Sequence, residues 1–208
     1  MNKLKNPLVI VANGHFPSHP VPLNVLNDSK CILACDGATN ILVEKGYTPK
    51  VIIGDLDSIS IKNKEKFSDI LVEVKNQEEN DFRKAIEYAK SNNIHDISIV
   101  GATGKREDHM IGNIFSLLKF PDLNIKLFTD SGVFRCIHSN QKIQSFKGQQ
   151  VSLFTSDQTI KISTNNLKYN FNYDCISTLF YGCLNESIDN FFEIKISHGE
   201  LLFFQTYK

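Results

Sequence analysis

The chain has 208 residues, with 23 Lys+Arg balanced by 23 Asp+Glu, so its formal net charge is zero. That excludes a strongly basic protein that grips a phosphate backbone by bulk charge, and leaves room for a small local basic site. Hydrophobic residues at 41% and charged residues at 22% are ordinary for a folded soluble protein and exclude disorder as the main state.

The longest apolar runs, such as LVIVA at 8–12, fall well short of a bilayer span, and the start shows no secretory leader pattern. Five scattered cysteines (31, 35, 136, 175 and 183) are an odd set with no disulfide framework, so a reducing, cytoplasmic setting is expected. Cys31 and Cys35 lack the further ligands a structural zinc site needs and read as strand core.

From the start to about residue 130, short β-branched runs alternate with polar or amphipathic stretches. LVIVAN (8–13), CILACD (31–36), VIIGD (51–55), ILVEV (70–74), ISIVG (97–101) and IKLFTD (125–130) read as strands buried on both faces of a parallel sheet. Two helices are expected between them. Phe82, Ala85, Ile86 and Ala89 form one stripe at helical spacing, and Met110, Ile111, Ile114, Phe115 and Leu118 form another. The alternation predicts a doubly wound α/β sheet.

From about 132 the helical period disappears. KIQSF (142–146), QVSLF (150–154), TIKIS (159–163), LKYNF (167–171), FFEIKI (191–196) and ELLFFQTY (200–207) read as strands separated by turn residues, with His198-Gly199 as a tight hairpin. This half is expected to be a small all-β sandwich or barrel. The change of period divides the chain into 1–132 and 133–208.

Polar groups gather where the first-half strands end: Asn13-Gly14, Asp36-Gly37, Gly54-Asp55, Gly101 and Asp130. Open parallel sheets bind ligands at those carboxyl ends. In GDLDS (54–58), two carboxylates lie two residues apart just past a strand, a pairing suited to Mg²⁺. In ISIVGATGKREDHMIGN (97–113), Gly101 and Gly104 let a backbone approach a ligand, and Lys105 and Arg106 add positive charge beside a helix start. This loop is neither a Walker A loop nor GxGxxG. In NQEENDFRKA (76–85), Asn80 and Asp81 stand at a helix start, where capping alone would account for them. Asp55, Asp57, Asp81 and Asp108 beside a cationic glycine loop form a toolkit for phosphoryl or pyrophosphoryl transfer with Mg²⁺ and a polyphosphate.

DGATN (36–40), GDLDS, NQEENDFRKA and GATGKREDH (101–109), followed by Asn113, resemble the thiamine pyrophosphokinase family in order and spacing. Weaker likeness runs through GQQVSLF (148–154) and LKYNF. The resemblance implies an α/β nucleotide-binding catalytic domain over 1–132 and an all-β thiamine-binding domain over 133–208. It implies Mg²⁺-dependent transfer of the diphosphate of ATP to the hydroxyl of thiamine, releasing AMP, in a homodimer with its active site at the subunit interface and no nucleic-acid or membrane partner.

By matched position, Asp55, Asp57 and Asp81 would hold the metal, Asp108 would complete the acidic set, and Arg106 would bind phosphates. Asp36, Asn40, Ser58, Gly101, Gly104 and Lys105 would lie by the nucleotide. Gln77 and Asn185 would contact thiamine, and Tyr169, though not a matched position, could stack on its rings. The chain departs from the family pattern in three places. Lys105 stands where a second glycine is usual, Gly182 and Leu184 replace serines in GCLNES (182–187), and there is no Trp. Two other readings fit the same acids: a nucleotidyl- or glycosyltransferase, and a non-catalytic nucleotide or thiamine sensor.

Overall fold

The structure, a computed structural model, describes residues 4–76 and 78–208. The chain divides into two compact units. One holds the residues through Ser116 together with Asp122–Asp130; the other holds Leu117–Pro121 and Ser131–Lys208.

The first unit runs β1 (Leu8–Val11), α1 (Pro20–Asn27), β2 (Cys31–Cys35), α2 (Ala38–Glu44), β3 (Val51–Gly54), α3 (Ile61–Lys66), β4 (Leu71–Glu73), α4 (Asp81–Ser91), β5 (Asp96–Val100), α5 (Glu107–Ser116) and β6 (Asn124–Phe128). Its strands lie in the order β6-β5-β1-β2-β3-β4, every neighbouring pair parallel. The chain moves outward from β1 to β4, then returns to the other side of β1 to lay down β5 and β6. That reversal opens a crevice past the carboxyl ends of β1 and β5, where doubly wound sheets bind ligands.

The runs of β1, β2 and β3 are buried on both faces as expected, whereas β4 is only half-covered and β6 alternates buried with exposed residues. Val9, Val11, Ile32, Ala34 and Ile52 join Leu26 and Leu42 of the helices in one buried cluster. The alternate residues Ile10, Leu33 and Ile53 are buried as well, and α4 packs on β2 and β3. Cys31 and Cys35 are buried within β2, as strand core.

Helix α4 follows its sequence closely. The Asn80 side chain accepts from the Arg83 N–H at 3.0 Å, Asp81 complements the first turn, and Phe82, Ala85, Ile86 and Ala89 are buried. Helix α5 differs. Its stripe is only partly covered, and Ile111 is 56% exposed. The helix ends at Ser116 and a 3₁₀ turn carries Leu117–Lys119. Helices α1, α2 and α3 have six to eight residues each, too short for a periodic stripe to register.

The second unit contains β7 (Gly132–Ile137), β8 (Gln141–Gln144), β9 (Gln150–Phe154), β10 (Ile162–Asn165), β11 (Asn172–Asp174), β12 (Asn185–Glu186), β13 (Phe191–Ile196) and β14 (Leu201–Thr206). They form two antiparallel layers, β12-β9-β14-β7 and β11-β10-β13-β8. Ile143, Phe192 and Ile194 of one layer meet Val151, Leu153 and Phe203 of the other in a single buried cluster. The unit is therefore a β sandwich.

Two expectations are corrected here. The stretch 167–171 is not a strand: apart from one bridge between Leu167 and Ser187, it is held by side-chain hydrogen bonds. His198-Gly199 is not a hairpin turn, because β13 pairs with β8 and β10 while β14 pairs with β7 and β9. The connection crosses from one layer to the other, since each flanking strand buries its own apolar face in the shared core.

Candidate active site

Strands β1, β2, β3 and β5 deliver their carboxyl-end residues to one end of the parallel sheet. Past β2, Asp36 is only 3% exposed, and its two oxygens accept the Ser58 N–H at 3.0 Å and the Ile59 N–H at 3.1 Å. It thereby holds the GDLDS loop. Asn40 reinforces the loop, donating to the Ser58 carbonyl and accepting from the Ser60 N–H and the Asn63 amide. Within the loop, Leu56 adopts a left-handed φ of 64° and is buried, so the carboxylates on either side of it turn outward together.

Carboxylate oxygens of Asp36, Asp55 and Asp57 come within 4.8 Å of one another. Asp81, expected in that trio, borders it instead. A Cβ built on Gly54 would lie 2.8 Å from Cβ of Asp36 and 3.0 Å from Oδ2 of Asp81, so only glycine lets the two acids close over the end of β3. Oδ1 of Asp81 accepts from Nζ of Lys84 at 3.1 Å.

The local field matches this crowding. Burial, opposed by the two loop amides and reinforced by Asp81, raises the Asp36 pKa above the usual carboxylate value. The Ser58 hydroxyl, donating to Asp57 at 2.7 Å, lowers that of Asp57. Burial, then Asp81 and Asp36, pushes the Cys35 thiol far up, so it is inert as a nucleophile.

Beside the acids lies a cavity of about 350 Å³, lined by Asn13, Gly14, Cys35, Asp81, Gly104, Lys105, Arg106 and Asn113 among others. Gly101 and Gly104 have φ of 69° and 76°, and Lys105 shares the left-handed region at 56°. This run of turns folds the loop back on the end of β1, where the Gly14 and His15 N–H groups donate to the Gly101 and Thr103 carbonyls. Nζ of Lys105 donates to Oδ1 of Asn13 at 2.9 Å. Asn113 links the Ala102 carbonyl to the Asn80 amide, tying α5, the glycine loop and the α4 cap together. Asp130, past β6, accepts from Ser18 and His19 and anchors the far end of the β1 loop.

Asp108 does not line the cavity. It forms a two-pronged pair with Arg106, at 2.6 and 3.1 Å, and the Arg106 guanidinium brings its pKa down to about 2. In the second unit, Asn185 is buried and committed to the backbone of Tyr169, accepting its N–H and donating to its carbonyl, while the Tyr169 ring is exposed. Gln77 lies outside the described residues.

Sequence reasoning left out Lys84. For Lys84 the signal was present: three residues beyond Asp81 on a helix, its side chain shares a face with that acid.

A doubly wound sheet with an all-oxygen acid group and a cationic glycine loop at one end defines a class of α/β chain suited to meeting a hard cation and an anion together. Comparison with known proteins narrows the class. Residues 23–129 match the family model for the thiamin pyrophosphokinase catalytic domain, and residues 132–204 match that for its substrate-binding domain. The chain belongs to the thiamin pyrophosphokinase family.

It is 34% identical over 146 residues to thiamine pyrophosphokinase 1 of Oryza sativa subsp. japonica, a match covering 59% of this chain and 55% of that protein. It is 32% identical over 143 residues to thiamine pyrophosphokinase of Bacillus subtilis, covering 66% of this chain and 63% of that one. The chain thus spans between half and two thirds of the length of these curated relatives. The fold is that of thiamin pyrophosphokinase from Geobacillus thermodenitrificans, with a TM-score of 0.79 at 24% identity over 97% of both chains. Among the described residues no helix is long and apolar enough to cross a membrane.

Proposed function

We propose that this chain transfers the diphosphate of ATP to the hydroxyl of thiamine, giving thiamine diphosphate and AMP. The observation that carries this reading is the convergence of Asp36, Asp55, Asp57 and Asp81 on the carboxyl end of the sheet, beside the cavity bearing Lys105 and Arg106.

The donor set is all oxygen and crowded around Gly54, which suits a small hard dication such as Mg²⁺. Asp55 and Asp57 would hold it together with Asp36, whose oxygens group with theirs, and Asp81 borders them. Bound there, a magnesium ion would supply positive charge to offset that of the carboxylates and of the phosphate.

The chain's own residues do the rest. Arg106 and Lys105 hold phosphate oxygens, and Gly101 and Gly104 let the backbone approach them. Asn40 and Ser58 keep the acidic loop in place beside the nucleotide. The thiamine hydroxyl oxygen bonds to the β-phosphorus, the bond from that phosphorus to the oxygen bridging to the α-phosphate breaks, and AMP leaves with that oxygen. The hydroxyl proton passes to a carboxylate. Asp36 already accepts two amides, so Asp55, Asp57 or Asp81 takes it. Asp108 keeps Arg106 oriented until phosphate competes for it. Gln77 and the exposed Tyr169 ring contact thiamine, and Asn185 fixes the Tyr169 turn.

A homodimer is part of this proposal. Ile111 on α5, and separately Phe180 (76% exposed) and Leu184 (84% exposed) in the second unit, are apolar surface that a second copy would cover. Sedimentation of Phe180→Ser/Leu184→Ser should show loss of the dimer. The five free cysteines support a reducing, cytoplasmic setting.

The deciding experiment supplies thiamine, ATP and Mg²⁺ and identifies the nucleotide released. Equal amounts of AMP and thiamine diphosphate are expected. Pyrophosphate or a nucleoside diphosphate as product would establish the nucleotidyl- or glycosyltransferase reading. A ligand-dependent melting shift without turnover would establish a sensor.

A further inference from the structure

Lys84 is a lysine held almost entirely out of water, its side chain 6% exposed, on helix α4, which packs against β2 and β3. Burying an ammonium is costly unless a fixed partner meets it. The partner is Asp81, whose two oxygens have separate surroundings. Oδ1 takes Nζ of Lys84 at 3.1 Å, while Oδ2 faces the Gly54 position, 3.0 Å from where a Cβ would stand, on the side shared with Asp36. Among the described residues, Lys84 is the one base that an ion pair joins to Asp36, Asp55, Asp57 or Asp81. Of the four carboxylates, Asp81 alone carries such a pair; the nearby Lys64 ammonium donates instead to the Leu56 carbonyl, between Asp55 and Asp57, at 3.2 Å.

We propose that Lys84 is a positioning residue for the reaction: it fixes Oδ1 of Asp81 so that Oδ2 is presented to the metal-holding group, and its built-in charge limits how strongly that group attracts divalent cations. A helix-stabilising ion pair alone would need neither Oδ2 free nor the pair placed against the acid cluster. The inference rests on the proposed diphosphotransfer for its turnover arm, while its metal-binding arm stands without it.

The test compares wild type with Lys84→Met and Lys84→Arg. Mn²⁺ binding to the full chain, without nucleotide or thiamine, is read by electron paramagnetic resonance. Turnover is read as AMP release. Lys84→Met should bind Mn²⁺ about threefold or more tightly, because a repelling charge has gone. Its kcat should fall about tenfold or more with KM for thiamine little changed, because Asp81 has lost its orientation. Lys84→Arg should restore Mn²⁺ affinity and most of the turnover.

Opposite movement of metal affinity and kcat is the signature of positioning. Parallel weakening of both, or a Lys84→Met kcat within twofold of wild type, would overturn the proposal. If Lys84→Met does not fold, Asp81→Asn/Lys84→Met removes both buried charges and is compared with Asp81→Asn. Equal kcat supports action through Asp81, and a further drop of more than about threefold overturns it. A wild type that releases no AMP defeats the functional reading, and the Mn²⁺ comparison then decides on Lys84 alone.

Discussion

The two units solve the problem of placing polar residues in opposite ways. In the parallel unit, consecutive strands all point the same way, so every strand end falls at one edge, and residues from four separate segments (Asn13, Asp36, Asp55, Lys105) meet there. In the antiparallel sandwich, strand ends alternate between opposite edges and no such pooling occurs. Its buried polar groups work internally: Asn185 staples the Tyr169 turn, and Gln149 bridges Ser145, Gln205 and the Thr206 carbonyl. Parallel topology concentrates chemistry, while the sandwich spends its polar side chains on holding turns and leaves apolar rings outside.

That contrast is open to attack by mutation. The largest effect belongs to the acid group: Asp55→Asn or Asp57→Asn should lower kcat by about 100-fold or more while thermal melting stays near wild type. Near wild-type turnover in either would remove the metal assignment. In the sandwich the pattern should invert. Asn185→Ala strips hydrogen bonds from a buried turn and should cost about 1–3 kcal/mol in urea unfolding.

Gly54→Ala joins the two patterns. Its added Cβ drives Asp36 and Asp81 apart, so kcat should fall about tenfold with a modest drop in Tm. The smallest effect concerns Asp108. Its carboxyl, lowered from 3.8 to about 2 by Arg106, favours the fold above pH 3.8 and loses that advantage as pH falls toward 2. An NMR titration should show that midpoint return to about 4 in Arg106→Gln.

How far the sequence carries this picture depends on periodicity. Strands buried on both faces, such as LVIV and CILAC, announce themselves by unbroken apolar runs, and α4 by its stripe. Helix α3, IKNKEK, has no stripe because it rides on the surface. The crossing at His198-Gly199 was invisible because a turn residue marks a change of direction and not the layer the next strand joins. At the site, the acids were legible as strand-end residues. Which oxygens group together was not: it depends on Leu56 in a left-handed turn and on the room left by Gly54, both properties of three-dimensional packing. Asn185, expected to meet thiamine, also bonds to the Tyr169 backbone, which only the folded turn brings near.

The strand β14 lies between β7 and β9, although it follows both in the chain. During synthesis the two neighbours therefore wait with facing edges unsatisfied until the intervening ribbon emerges from the ribosome. In that interval they are templates for stray pairing with other chains, and a premature stop before Leu201 would leave a sheet missing its middle and not merely its margin.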